Sequence, residues 1–300
     1  MRRFLPVLSL VIAACGGPSP QPSVPPAPMM PEKQQQPPPP LPPEPPALTI
    51  APDIDARLAK FATVVMDFDD STISSDDKKV LAALVDASRM MHELFMDQID
   101  PQIPSIRSQL LSHPTALAYF DVMAGPWDTL NHDEPFVGTK ARLPGGAFHP
   151  ADMTKDEFEA FVKAHPDQKD DFLGYFTVIR RHDGALEALP YSKAYADKLG
   201  PAAQALRRAA SLTNEPTLRA FLEKRADAFL SNEYRESDRA WMDVKGPIEV
   251  TIGPYETYAD QLLGLKASFE AFVSLRDVEE SRKLETIGKQ MNALERNLPM

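Results

Sequence analysis

The sequence predicts a mainly helical α+β fold set behind an N-terminal leader and spacer, and three observations carry that prediction. Apolar residues at 3,4 spacing recur along most of residues 75–298, the mark of amphipathic helices. Only three short stretches alternate with a period of two, so the β-structure is small. A proline-dense run separates residues 1–15 from about 250 residues that can close one sizeable core or two modest ones, given 43% hydrophobic content.

Arg2 and Arg3 precede an apolar run, residues 4–14, that ends in Ile12-Ala13-Ala14-Cys15. The run is too short to span a bilayer, which takes about 20 residues, and small residues precede the cysteine as a cleavage site requires. This resembles a bacterial lipoprotein signal peptide with Cys15 as the lipidated residue, and Gly16 after it points to sorting to the outer membrane of a Gram-negative cell. Cys15 is the single cysteine, which excludes an intramolecular disulfide. Residues 16–47 hold Gln34-Gln35-Gln36 and Pro37 to Pro40 and no core-forming pattern, so they are expected to form an extended, disordered linker reaching about 90 Å at ~3.1 Å per residue. The formal net charge is −11, and loss of Arg2 and Arg3 on processing makes it more negative still. Such a surface, with no basic cluster, argues against nucleic-acid partners.

The folded region, 48–300, opens with a long helix. Ser75-Asp76-Asp77 signal its start, and Val80, Leu81, Leu84, Val85, Ser88, Met91, His92, Phe95 and Met96 share its predicted core face. His92-Glu93 begins like a zinc motif, but Met96 stands where a second histidine would be needed, so His92 is expected to face the core. Thr154 and Glu157 form a capping box, with Met153 and Phe158 as a hydrophobic staple, and start another helix. Residues 176–181 and 185–189, joined through His182-Asp183-Gly184, read as a β-hairpin. A helical hairpin follows, with Ala202, Ala205, Leu206, Ala209 and Leu212 on one arm. The other arm carries Leu218, Phe221, Leu222, Arg225, Phe229 and Leu230 after Asn214-Glu215-Pro216.

Ile248, Val250 and Ile252 alternate with Glu249 and Thr251, so a third strand is predicted to end at Gly253-Pro254. Tyr258, Leu262, Leu265, Phe269 and Phe272 then repeat at 3,4 spacing and predict a helix, which places Glu256 and Tyr258 at a strand-to-helix switch. A last helix carries Leu284, Ile287, Met291, Leu294 and Leu298; with no capping glycine and an apolar face running to its end, it is expected to pack on something outside the chain.

Several segments, in order, join into one likeness: Gly125-Pro126-Trp127-Asp128, residues 144–153, Thr177-Val178-Ile179-Arg180-Arg181, Pro190-Tyr191-Ser192, Ser237-Asp238-Arg239-Ala240-Trp241-Met242-Asp243, and Gly253-Pro254-Tyr255-Glu256-Thr257-Tyr258. Together they resemble the N-terminal half of a bacterial dipeptidyl peptidase III, a family of two-lobed zinc metallopeptidases, over most of the chain from about Asp55. The resemblance implies a lower-lobe-like half, a peptide substrate, and zinc held by residues outside this chain. It implies that Glu256 binds the peptide's free ammonium and that Tyr258 hydrogen-bonds the scissile region and helps stabilise the oxyanion. The plainer roles for the same residues are a helix-start acid and the first member of a packing stripe. His149, Asp238 and Asp243 lie in the shared segments without an assigned role.

The chain's six histidines show no His-x-x-x-His or His-Glu-x-x-His spacing, so the sequence assigns no metal ligand. Two readings stay open: part of a zinc-dependent exopeptidase that removes dipeptides from peptide N-termini, with a separate catalytic half as partner, or a non-catalytic peptide-binding or scaffold lipoprotein of the cell envelope.

Overall fold

The computed structural model describes residues 48–65, 71 and 73–299. The leader, Cys15 and the linker predicted over 16–47 lie outside them. The described region is α+β, with helices packed around three two-stranded antiparallel sheets, as the sequence pattern predicts.

A short helix α1 (Ile54–Leu58) precedes α2 (Ser75–Ile99), the longest helix. Ser74 caps α2 by accepting the Asp77 amide at 3.0 Å, and Asp76 and Asp77 complement the positive end of the helix dipole. The buried face of α2 is rotated from the predicted one: Val80, Ala83, Leu84, Ala87, Met91 and Leu94 are buried, whereas Val85 and His92 are exposed. The cause is the partner. Helix α8 (Ala196–Leu212) presents Ala202, Ala203, Ala205, Leu206, Ala209 and Ala210, and small residues on both helices let the backbones approach closely. His92 is therefore no core histidine, contrary to its predicted place.

Helices α3 (Ile103–Gln109) and α4 (Pro114–Met123) lead to a short ladder of β1 (Trp127–Asp128) and β2 (Glu134–Pro135). Helix α5 (Lys155–Ala164) starts where predicted, with Thr154 Oγ1 accepting the Glu157 amide, and α6 (Lys169–Leu173) follows. Met153 and Phe158 are buried with Phe172, Ile179 and Leu186 in a small second core. Strands β3 (Thr177–His182) and β4 (Ala185–Pro190) form the expected hairpin, turning through Asp183 and Gly184 at φ 49 and 83. Both central residues take positive φ because that twist matches the flanking strands.

After α7 (Tyr191–Ala194), α8 packs on α9 (Pro216–Ser231), whose first-turn proline costs no hydrogen bond and whose Glu215 accepts the Thr217 amide. Helix α10 (Arg235–Met242) then feeds β5 (Ile248–Glu256). The next segment departs from the sequence prediction. No helix covers Tyr258 to Phe272; residues 257–267 form a turn-rich loop, and Ser268–Leu275 is a strand, β6, paired antiparallel with β5. Its Phe269, Ala271, Val273 and Leu275 pair with Pro254, Ile252, Val250 and Ile248 on the core side of the hairpin. Glu256 thus ends a strand, Tyr258 stands in a loop, and neither lies at a helix start. Helix α11 (Val278–Arg296) follows, with Leu284, Ile287, Met291 and Leu294 open to solvent.

Candidate functional site

The site forms where the β5–β6 hairpin meets α2. Gln98, buried on α2, acts as a splice between them: its Nε2 donates to Ala267 O at 3.2 Å and its Oε1 accepts the Phe269 amide at 2.8 Å. One side-chain amide thereby supplies β6 with the pairing a neighbouring strand would give. Tyr191 Oη donates to the same Ala267 carbonyl at 2.8 Å. With β6 fixed on α2, Ser88 and His92 of α2 face Ser268, Glu270 and Ala271 across a cavity of about 250 Å³, with Tyr258 on its rim. Tyr258 also borders a second cavity of about 290 Å³, lined by Phe95, Ile99, Trp127, Asp133 and Arg142. Tyr258, 72% exposed, thus stands between the two cavities.

The acidic face of the hairpin is built by pairing. Glu256 lies opposite Ser268, and Gly253 opposite Glu270, with a bulge between Pro254 and Glu256. Partners across a ladder share a face, as do residues two apart on one strand. Glu256, Ser268 and Glu270 therefore stand on one side of the hairpin, opposite Phe269, Ala271 and Val273. Burial first, and the nearby Glu256 charge second, raise the Glu270 carboxyl above its ordinary value. Two carboxylates held this way favour a cation placed between them.

The loop between the strands is held rigidly although its tip is exposed. Asp260, buried, accepts the amides of Leu263, Leu265 and Lys266 at 3.1–3.2 Å. His149 Nε2 stands 3.0 Å from Asp260 Oδ2, a close attraction without hydrogen-bond alignment, and its Nδ1 has no partner. Burial alone would raise the Asp260 carboxyl, but His149 and the Lys266 and Leu265 amides outweigh it and hold the group below 3.8. Lys266, also buried, donates to Phe172 O, Gly174 O and Thr177 Oγ1 at 2.7–2.8 Å. Burial pushes its ammonium down to about 8, against the pull of Asp260. The loop is fastened further by Gln261 N to Pro144 O and Ala267 N to Tyr175 O. Tyr258 is thus carried two residues from a buried anchor.

The sequence-predicted residues are partly brought together. Tyr258 lines both cavities and Glu256, exposed at the end of β5, lines neither, whereas Asp238 of α10 is paired with Arg225 and His149 is buried beside Asp260. Among the described residues no group of three His, Cys, Asp or Glu could hold a metal ion. Glu270, His92 and Ser88 were not singled out as site residues by their sequence. For Glu270 the signal was present in the alternation of Phe269, Ala271 and Val273, which places Glu270 on the open face.

Comparison with known proteins gives the family likeness of the chain. The profile of peptidase family M49 matches residues 155–300. The dipeptidyl peptidase III structure from Caldithrix abyssi is 44% identical, with a TM-score of 0.78 over 82% of this chain and 48% of that one. Dipeptidyl-peptidase III from Corallococcus sp. strain EGB is 39% identical, also at 0.78, over 84% and 48%. A protein of Arabidopsis thaliana named Nudix hydrolase 3 is 31% identical over 82% of this chain and 39% of its own length. The chain therefore spans about half the length of these solved structures and less of the plant relative.

Proposed function

The chain belongs to peptidase family M49, corresponding to the N-terminal half of a dipeptidyl peptidase III, and from that premise we propose that it supplies the substrate-binding lobe of an exopeptidase that removes dipeptides from peptide N-termini. The observation that carries this is the acidic end of the β5–β6 hairpin opening beside Tyr258. A peptide's terminal ammonium, stripped of water in a closed cleft, must find an anionic partner, and Glu256 offers one at the end of β5. Tyr258, on its rigid loop, is placed to hydrogen-bond the peptide backbone. With the ammonium fixed, the enzyme measures a constant distance to the bond it cuts, which is how a dipeptide is released. NMR titration with a free tetrapeptide tests the site: shifts centred on Tyr258, Ser268 and Glu270 support it, and shifts centred elsewhere refute it.

In this reading zinc, which would supply the attacking water, is held by a second half of the enzyme and not by the described residues. Purified residues 48–300 should hold less than about a tenth of an equivalent of zinc after dialysis against metal-free buffer, since no three-ligand group occurs among the described residues. Elemental analysis giving one tightly held zinc per chain would contradict this.

We propose further that Cys15 is lipidated and that residues 16–47 tether the lobe to the outer membrane. Cys15→Ala should then abolish incorporation of labelled fatty acid and release the protein from membranes. Label retained by the mutant would refute the anchor. The second reading is a non-catalytic peptide-binding or scaffold lipoprotein of the cell envelope. It keeps the same role for Glu256.

A further inference from the structure

A buried cation lies against the hairpin that carries Glu256. Arg225 of α9 is fully buried, and its guanidinium carbon stands 5.3–5.5 Å from the ring centroids of Phe221, Tyr234 and Tyr255. Nη2 donates to Asp238 Oδ1, a half-exposed carboxylate, whereas Nε and Nη1 have no hydrogen-bond partner. A guanidinium enclosed by three aromatic faces gains from each ring quadrupole, but unpaired buried N–H groups are costly. Such a group persists only where the surrounding packing requires it.

The backbone records the same requirement. Gly253 has φ +146, and a Cβ built on it would come within 2.6 Å of Arg225 Nη1. The chain thus lies directly against the guanidinium, and only glycine satisfies both the conformation and the contact. Because Gly253 pairs with Glu270, the Arg225 side of the hairpin is the side that carries Glu270, Ser268 and Glu256. Tyr255 is the extra residue of the bulge: Pro254 pairs with Phe269 and Glu256 with Ser268, leaving Tyr255 unpaired. A bulge re-aims the side chains beyond it. If it were ironed out, Tyr255 would take the place opposite Ser268 and Glu256 would turn to the other face, since a one-residue slip exchanges the faces of a strand.

We infer that Arg225 is a positioning residue for the ammonium site: by gripping the Tyr255 ring it pins the bulge and keeps Glu256 on the face of Glu270. The inference rests on the reading of Glu256 as the acceptor of the peptide ammonium, but it makes a structural claim that can be read without any peptide. Glu270 is faced by Glu256 and Tyr255 from β5, by His92 from α2 and by Tyr258 from the loop. Its titration therefore reports whether Glu256 is in place.

The test uses the full chain with Arg225→Met, Arg225→Lys and Glu256→Gln. Each variant is checked for folding by circular dichroism, and the Glu270 carboxyl is titrated by carbon-13 NMR. In the wild type Glu270 should titrate above its ordinary value. Glu256→Gln should lower that midpoint, Arg225→Met should lower it to the same degree, and Arg225→Lys, which keeps a cation among the rings, should restore part of the shift. In parallel, the ratio of affinities for free and N-acetylated tetrapeptide, roughly 1.4–5-fold for an exposed ion pair, should fall to about one in Arg225→Met and recover in part in Arg225→Lys. A folded Arg225→Met with the wild-type Glu270 midpoint and peptide ratio overturns the inference. If Arg225→Met does not fold, Asp238→Asn, which weakens the grip on the guanidinium from a half-exposed position, carries the same expectation, and an unchanged Glu270 midpoint there overturns it. Should the wild type not distinguish the two peptides, the ammonium reading fails, while the Glu270 titration still decides the role of Arg225.

Discussion

Asp260→Ala should destabilise the described region by about 3–5 kcal/mol, the cost of removing one partner from a buried charged cluster. The carboxylate accepts three loop amides and stands against His149, and its charge faces the buried Lys266 ammonium. Deleting it leaves three loop amides without their acceptor and removes the counter-charge of Lys266, whose ammonium keeps its three other acceptors. The melting temperature should fall by roughly 6–20 °C, at about 2–4 °C per kcal/mol for a domain of this size. Asp260→Asn, which keeps one acceptor oxygen, should cost less.

The pH dependence follows from the signs. The folded pKa of Asp260 lies below its ordinary 3.8, so near that value the unfolded chain binds more protons. Its contribution is fully present above about pH 4 and is lost as pH falls through the folded value. Lys266, held down to about 8 in the fold, loses its counter-charge in Asp260→Ala and titrates lower still. The mutant therefore sheds the buried charge sooner, and its deficit should shrink as pH rises toward 8 and beyond. Calorimetry between pH 3 and 10 checks both limbs; a deficit that does not vary with pH would show that Asp260 acts through packing alone.

The helical scaffold was legible in the sequence because its signals are local. Thr154 and Pro216 mark helix starts wherever the chain is folded, and Asp183-Gly184 dictates a tight hairpin from its own backbone preferences. The second strand of the site hairpin was not legible, because Tyr258, Leu262, Leu265, Phe269 and Phe272 fit a helical period by coincidence. The same span contains Phe269, Ala271, Val273 and Leu275 at a period of two, and pairing with β5 decided between them. That pairing is a long-range event, as is the contact of α2 with α8 that turned His92 outward. The buried charges of Asp260 and Lys266 give no sequence signal, since a charged residue reads as solvent-facing until its enclosure is known, whereas Arg225 falls on the apolar stripe of its helix.

Glu256→Ala should have the largest effect on function. Under the proposed function, a protein that carries both halves of the enzyme would bring the ammonium and Glu256 together in a cleft from which water is excluded, and truncating one partner of a desolvated charge pair costs on the order of 2–5 kcal/mol. That corresponds to a loss in kcat/KM of roughly 30- to several thousand-fold, at tenfold per 1.4 kcal/mol. In this chain by itself Glu256 is exposed, the ammonium stays hydrated, and the same substitution should cost only about 0.2–1 kcal/mol of a millimolar affinity. The difference between the two settings measures what desolvation adds to one carboxylate.

The most direct measurement compares a free tetrapeptide with its N-acetylated form on wild-type protein and Glu256→Ala, by NMR titration for this chain and by kinetics for the two-halved enzyme. Acetylation removes the charge and leaves the remaining contacts nearly intact. If Glu256 receives the ammonium, the wild type prefers the free peptide and Glu256→Ala loses that preference, binding both forms alike. Equal treatment of the two peptides by the wild-type two-halved enzyme, or a preference that survives Glu256→Ala, would contradict the account and leave Glu256 as an exposed acid at the end of a strand.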